Sequence, residues 1–251
     1  MGGGGSAMSD CPTLGYHKIR GLAAAPRMMF FYKGQQFKNK AYANDMKEAW
    51  HGGEKPVLKQ QNSLINLPYL QDGDVLVTQS NSVLLYLGKT LGIDKDDCWV
   101  HNHQVIDQTM DLRNDLMKIV YPFGAVKTPE QLPEGFKGHL EGSGTTNFTK
   151  LEGFCKGPYM CGAAPQSGDF HVFEMLDQHL VMVAELGLTF DTASFPKLMA
   201  LHAKMKAEPS LAKYFDHAMY KSYPFNNALF TTFKGPGYDG NYDPVTEVVT
   251  M

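Results

Sequence analysis

The chain lacks several patterns that would decide its class at once. No apolar run approaches the roughly 20 residues that a membrane-spanning helix needs, so we expect no contact with a membrane interior. Neither sign of charge dominates, and the formal net charge of −3 argues against nucleic acid or an anionic membrane surface as the main partner. The N-terminus shows no basic and then apolar segment typical of a signal peptide, which favours a cytoplasmic protein.

Patterns of metal-binding and disulfide-forming residues are also missing. The nine histidines include no HExxH pair, and His101 and His103 would face opposite sides of a helix, so the sequence predicts no metal site. The four cysteines form no CxxC pair, and we expect them to be reduced thiols. They are Cys11, Cys98, Cys155 and Cys161.

The composition that remains is that of an ordinary globular protein. Hydrophobic residues make up 43% and charged residues 20% of the 251, a length that fits one large or two small domains. We interpret the glycine-rich residues 1–8 as a leader added to the natural sequence. The rest divides into a mixed domain over 9–92, a helical domain over 97–233 and a tail rich in Gly, Pro, Tyr and Asp over 234–251.

The order of predicted elements in the first domain is β-α-β, a polar loop over 44–62, and then β-β-α, which is typical of a thioredoxin-like sheet. The predicted strands are 13–16, 37–42 and a hairpin that ends at 75–78, and the predicted helices are 22–32 and 81–91. Beyond residue 94, apolar residues recur near a 3.6-residue period and predict helices at 97–120, 170–187, 195–207 and 210–215. Five glycines weaken the prediction of a helix over 134–154.

The run Asn66-Leu67-Pro68-Tyr69-Leu70 carries the clearest functional signal. Proline cannot donate to a strand ladder, so Pro68 belongs at a bend, where a cis peptide bond is plausible. Such a bend leaves the N–H and C=O of Leu67 free to pair with a peptide-like ligand, as an added strand would.

A hairpin and a helix start follow that run. Asp72-Gly73 reads as the turn, and Ser80 as the N-cap of the next helix, where open N–H groups attract an anion. Gln79 adds an amide that both donates and accepts. A serine at an N-cap is by itself ordinary, but the set together predicts a site for a small peptide with a free carboxylate.

This set of residues, with Leu84-Leu85-Tyr86-Leu87 after it, resembles the thioredoxin-like domain of glutathione S-transferases. The resemblance implies that the backbone at Asn66, Leu67 and Pro68 binds the cysteinyl part of glutathione. It also implies that Gln79 and Ser80 hold the γ-glutamyl carboxylate.

Leu14-Gly15-Tyr16, followed by an Ile-Arg-Gly-Leu-Ala run from Ile19, is similar to the mu class of that family, which implies that the Tyr16 hydroxyl holds the glutathione thiolate. A thiol with a pKa of roughly 8.5 is mostly protonated at neutral pH, and a hydroxyl that donates to sulfur favours the anion. We read Arg20 as an ion-pair residue rather than a second donor. His17 departs from the class, which has an indole there.

Three further matches to the mu class lie elsewhere. Trp50 and Lys55 would bind the glycine carboxylate, although Lys59 competes because the loop is longer here. Asp111, in a Gln-Thr-Met-Asp run, would reach across a dimer to the γ-glutamyl ammonium. Tyr121 would line the electrophile pocket.

The resemblance implies a homodimeric, cytoplasmic detoxification enzyme with the glutathione transferase fold: an α/β thioredoxin-like N-terminal domain plus an all-α C-terminal domain. With glutathione as co-substrate, it would conjugate the thiolate to a small, hydrophobic electrophile. Two alternatives stay open: a non-catalytic ligand carrier of the same fold, and a glutathione-dependent isomerase of the prostaglandin synthase type. Leu64 stands where the mu class has an aromatic side chain that inserts between helices of the partner subunit.

Overall fold

A computed structural model describes residues 8–251, which form a five-stranded sheet and a bundle of helices. The strands are β1 (Thr13–His17), β2 (Phe37–Tyr42), β3 (Tyr69–Asp72), β4 (Val75–Thr78) and β5 (Val245–Val249). Their order is β4-β3-β1-β2-β5, with β1 and β2 parallel and the other neighbours antiparallel. Except for Met8, the predicted leader lies outside the described residues.

Three helices accompany the first four strands: α1 (Ala24–Lys33), α2 (Lys55–Leu58) and α3 (Ser80–Thr90). The predicted polar loop over 44–62 is wrong, because wide π-helical turns over Met46–Glu54 lead directly into α2. The physical reason is the burial of Trp50, which packs in a cluster with Tyr42, Ile65 and Tyr69. This tertiary contact outweighs the low helix propensity of the two glycines in the segment.

The helical domain contains α4 (Trp99–Val120), α5 (Leu132–His139), α6 (Thr145–Phe154), α7 (Ser167–Glu185), α8 (Pro196–Lys206), α9 (Ala212–Asp216) and α10 (Ala218–Lys221). The predicted helix over 134–154 is interrupted at Gly142, whose φ of −116° and ψ of −106° separate α5 from α6. At the start of α7, Gln166 is the N-cap and the Asp169 carboxylate accepts its N–H at 2.8 Å.

Buried charges join the two domains. Arg20, which follows β1, donates to Glu174 at 2.9 and 2.7 Å and to Asp177 at 2.7 Å on α7. All three side chains are almost fully buried. The reading of Arg20 as an ion-pair residue is therefore confirmed, and a buried charge of this kind needs both partners.

The expectation that all four cysteines are reduced is wrong. Cys98 and Cys161 form a disulfide with a Cα–Cα distance of 6.3 Å, which ties the start of α4 to the segment before α7. The two residues are 63 positions apart, so their spacing carries no recognisable pattern. Cys11 and Cys155 are free thiols.

The tail supplies the strand that the sequence reading missed. After Tyr223 the chain returns to the first domain, where β5 pairs with β2 from Ala41–Val245 to Phe37–Val249. The end of the tail is therefore part of the sheet. The proposed domain boundaries at 92, 97 and 234 remain a prediction. No helix in the described part of the chain is long and apolar enough to cross a membrane.

Candidate functional site

The sheet register brings distant residues to one end of the sheet. Gly15 on β1 pairs with Tyr69 on β3, and Tyr69 pairs with Thr78 on β4. One step beyond these partners, Tyr16, Pro68 and Gln79 lie side by side. This end also receives the chain leaving β2, since β1 and β2 are parallel and their carboxyl ends share an edge.

The backbone before β3 is shaped as an open edge. The Leu67–Pro68 peptide bond is cis, as predicted. The Thr78 hydroxyl holds Asn66, the residue before Leu67, in place. It accepts from the Asn66 N–H at 3.1 Å and donates to the Asn66 carbonyl at 2.8 Å. Within the described residues, neither the N–H nor the C=O of Leu67 has a hydrogen-bond partner, so both can bind an extended peptide.

Gln79 and Ser80 stand at the start of α3. Ser80 is its first residue and Gln79 the N-cap, a shift of one position from the prediction, and neither side chain caps the helix. Among residues 8–251, Gln79 alone of the non-glycine residues has a positive φ, 72°. Backbone held in this region is typical of functional sites.

The turn of the hairpin also lies one position later than predicted. It is formed by Gly73-Asp74, because Asp72 still belongs to β3.

Trp50 and Lys55 come together on the segment after β2. The Trp50 ring is 1% exposed and stacks on Tyr69 with 5.8 Å between centroids. Lys55 Nζ lies 5.9 Å from the Trp50 ring centroid. Lys59 is exposed and makes no such contact within the described residues, which favours Lys55 of the two lysines.

Tyr16 is the buried hydroxyl nearest this edge, with 4% of its surface exposed. Its oxygen accepts the Leu22 N–H at 3.2 Å. Its own proton has no acceptor among the described residues, and it is free to be donated to a ligand. The neighbouring His17 stays neutral at pH 7, because burial and then His51 lower its pKa to about 4.

The two predicted site residues of the helical domain occupy different places. Tyr121 follows α4, and its oxygen accepts the Asn227 N–H at 2.8 Å, while burial raises its pKa. Asp111 is exposed and lines an open cleft of about 570 Å³ formed by α4 and by the segment from Ser143 to Lys150. Asp111 is therefore not among the residues that the structure gathers at the Tyr16 edge.

Tyr242 is a candidate that the sequence reading missed. It is 7% exposed, and its hydroxyl is buried without a hydrogen-bond partner in the described chain. The strand-like alternation Val245-Thr246-Glu247-Val248-Val249, just after it, was the signal that could have located this segment at a sheet edge.

The arrangement combines an open backbone edge, a helix start and a cluster of buried phenols. The first two suit the amide and carboxylate groups of a short peptide. A phenol with a free proton suits a developing or existing anion such as a thiolate.

Comparisons with known proteins agree with this geometry. Residues 12–89 match the family model described as glutathione S-transferase, N-terminal domain, and residues 110–218 match glutathione S-transferase, C-terminal domain. Glutathione S-transferase Mu 2 of Rattus norvegicus is 30% identical, covering 84% of this chain and 94% of its own length. The Mus musculus Mu 2 protein is 29% identical with the same coverage.

A solved structure shows a similar fold. The Pi-class glutathione S-transferase of Onchocerca volvulus superposes with a TM-score of 0.67 at 21% identity, covering 86% of this chain and 97% of its own.

Proposed function

Because this chain belongs to the glutathione S-transferase family, we propose that it conjugates the thiolate of glutathione to a small, apolar electrophile. The observation that carries the proposal is the free proton of the Tyr16 hydroxyl beside the open backbone edge at Leu67. Neither a ligand carrier nor an isomerase gains support from any particular contact.

Glutathione would lie across the end of the sheet. The N–H and C=O of Leu67 would pair with its cysteinyl backbone, beside Asn66 and Pro68. The γ-glutamyl carboxylate would meet Gln79, Ser80 and the open N–H groups of α3. Trp50 and Lys55 would bind the glycine carboxylate, for which an indole N–H and an ammonium are suitable donors.

Tyr16 would then act on the sulfur. Its oxygen already accepts the Leu22 N–H, which polarises the hydroxyl and directs its proton toward the ligand. Donation of that proton in a hydrogen bond stabilises the thiolate and lowers the thiol pKa from its usual value of roughly 8.5. The thiol proton leaves to solvent, and the sulfur lone pair forms the new bond to the electrophilic carbon. That carbon at the same time gives up the bonding pair of its leaving group or, in an addition, the π pair of its double bond.

We also propose a two-fold homodimer. Its support is the exposed Leu64, with 67% of its surface accessible, and the position of Asp111 in an open cleft away from Tyr16. In such a dimer Asp111 would reach the γ-glutamyl ammonium bound by the other subunit. A sedimentation experiment that detects monomer and no dimer at micromolar concentration would refute the arrangement.

We also propose a detoxification role in the cytoplasm, where a pool of reduced glutathione is maintained. The Cys98–Cys161 disulfide is uncommon in that compartment and would have to persist against this pool. Retention on immobilised glutathione and conjugation of chlorodinitrobenzene test the activity directly. Failure of both in the wild-type protein would overturn the proposed function.

A further inference from the structure

A second cavity lies beside the loop that follows β1. It has a volume of about 360 Å³ and is bounded by that loop, α7, α10, the chain at Tyr223 and Phe225, and residues 235–237 of the tail. This volume falls in the range of roughly 300–1,000 Å³ in which proteins bind small molecules. None of the residues assigned above to glutathione or to its electrophile lines the cavity.

Arg20 brings a charged group to this cavity, although only 2% of its surface is exposed. Its Nε and Nη2 donate to the carboxylates of Glu174 and Asp177. The ring centroids of Tyr220 and Phe225 lie 4.4 and 4.6 Å from the guanidinium carbon. Nη1 has no partner in the described part of the chain and is not closed off from solvent, so it is the nitrogen that can donate to a molecule in the cavity.

An oxygen acceptor at Nη1 would complete the hydrogen bonds of this guanidinium. Buried polar groups are nearly always satisfied, because a desolvated donor without an acceptor is costly. A hydrogen bond from a charged donor is also stronger than one between two neutral groups. The cavity therefore offers one strong donor to a ligand that carries an acceptor oxygen.

The walls around this donor are aromatic and held in place. The Tyr220 hydroxyl donates to the Asp177 carboxylate at 3.0 Å, and the Tyr223 hydroxyl accepts from the Asn39 amide at 3.4 Å. With Phe225, these residues present three rings to the cavity. Aromatic rings bury much apolar surface and favour stacked or edge-on contacts with another ring.

The tail closes the cavity with backbone rather than with side chains. A Cβ on Gly237 would lie 1.8 Å from the Lys221 carbonyl oxygen, and Gly235 has a φ of 94°. The tail fits against the end of α10 only because both positions are glycine. The Phe225 N–H fixes its path by donating to the Lys234 carbonyl at 2.8 Å.

The charges around the cavity balance. The cations are Arg20, Lys206 and Lys221, and the carboxylates are Glu174, Asp177 and Asp216. An ionised ligand would bring a charge that has no partner in this balanced set, and burying such a charge is costly. A neutral molecule with an acceptor oxygen avoids that cost.

The loop after β1 serves the cavity and the Tyr16 edge with different residues. The N–H groups of Arg20 and Gly21 donate to the carbonyls of Pro224 and Phe225 at 2.8 and 3.1 Å. Two residues after Arg20, the Leu22 N–H donates to the Tyr16 hydroxyl. A molecule in the cavity thus leaves the residues of the proposed glutathione site free.

We propose that this cavity is a second binding site, for a small, neutral aryl ketone. The carbonyl oxygen of the ligand accepts a hydrogen bond from Arg20 Nη1, and its flat ring packs between the aromatic walls. Binding there forms no covalent bond and requires no glutathione.

Two molecules of nearly the same shape test the role of the oxygen. The ketone 1-tetralone carries a carbonyl beside its aromatic ring, and tetralin has the same ring system without the oxygen. Calorimetric titration of the wild-type protein should show 1-tetralone binding at least about tenfold more tightly than tetralin, because only the ketone accepts from Nη1. Equal affinities, or no binding of 1-tetralone, would overturn the proposal.

The location is tested from α7, because replacing Arg20 would leave Glu174 and Asp177 buried without their partner. Val181 is half-buried and lines the cavity. Val181→Phe adds bulk there and should weaken 1-tetralone binding by about tenfold or more.

Ala184→Phe is the matched control, since it places the same ring at an exposed position of α7. It should bind 1-tetralone as the wild type does, and both variants should keep a Tm near that of the wild type. Wild-type affinity in Val181→Phe, or an equal loss in the two variants, would overturn the location.

Saturation with S-benzylglutathione distinguishes this cavity from the proposed catalytic site and needs no variant. The affinity for 1-tetralone should be unchanged in its presence, whereas displacement would place the ketone in the catalytic site and overturn the proposal. If the wild-type protein does not bind S-benzylglutathione, the proposed function fails. The titrations of 1-tetralone and tetralin then still decide whether the cavity binds a ketone.

Discussion

The proposed glutathione-facing half of the site and its proposed electrophile-facing half are built in opposite ways. The first takes Leu67, Gln79 and Ser80 from one hairpin and the helix that follows it, and Gln79 is exposed. The second takes Tyr16 from β1 and Tyr121 from the residue after α4, and both rings pack against the apolar core. The first half therefore depends on local backbone geometry, and the second on the assembly of the whole molecule.

Loss of the Tyr16 hydroxyl should have the largest effect, because it acts where the two halves meet. We expect Tyr16→Phe to lower the conjugation rate by about 100-fold with little change in glutathione affinity. The pKa of the bound thiol should rise toward its free value, measured by thiolate absorbance against pH. If the pKa of the bound thiol is the same in Tyr16→Phe as in the wild type, a donor other than Tyr16 stabilises the thiolate.

Changes in the glutathione-facing half should weaken binding rather than chemistry. Gln79→Ala and Ser80→Ala each remove a hydrogen bond to a charged group, a loss of about 1.5–3 kcal/mol in glutathione affinity by calorimetry. The rate at saturating glutathione should change little.

Gln71→Ala is a fitting control, since the Gln71 amide donates to the Gly73 carbonyl within the same hairpin turn. Undiminished affinity in both Gln79→Ala and Ser80→Ala would remove the assignment of these residues to the carboxylate.

A smaller effect is expected at Tyr121. Tyr121→Phe should slow an enone by about tenfold and leave benzyl chloride nearly unchanged, as steady-state kinetics with both substrates will show. It also leaves the Asn227 N–H without its partner, which should cost about 1–3 kcal/mol of unfolding free energy. Comparable losses on both electrophiles would mean that Tyr121 only supports the fold.

The smallest effect should separate the two lysines. Lys55→Ala should lower glutathione affinity by up to about 1 kcal/mol, because a half-exposed charge is screened by water. The matched variant Lys59→Ala should bind as the wild type does. Titration at low and high salt checks the assignment, since the difference between the variants should shrink as salt rises. A larger loss of glutathione affinity in Lys59→Ala than in Lys55→Ala would assign the glycine carboxylate to Lys59 instead.

The features that could be predicted from the sequence are those that depend on local backbone geometry. Asn66 to Leu70 and Gln79-Ser80 lie close together in the chain, and turn and cap chemistry gives local signals that need no tertiary contact. The cis bond at Pro68 was predicted for that reason, whereas the helices after residue 94 were predicted from apolar residues near a 3.6-residue period.

The misses involve partners far apart in sequence. Cys98 pairs with Cys161 through the packing of two helical segments, and no spacing rule connects them. The segment around Trp50 is helical because its indole is buried, a tertiary effect that outweighs two glycines. Strand β5 pairs with β2 across 208 residues of sequence, a contact that no local signal announces.

The pairing of β5 with β2 also sets an order of events during synthesis. Asn39 and Glu247, which face each other across these strands, are 208 residues apart. At a translation rate of about 5–20 residues per second, β2 waits roughly 10–40 s for its outer neighbour. During that interval the edge of β2 is an unpaired strand, the kind of surface on which nascent chains associate wrongly. Strand β5, close to the end of the chain, is therefore the element that ends this vulnerable period of synthesis.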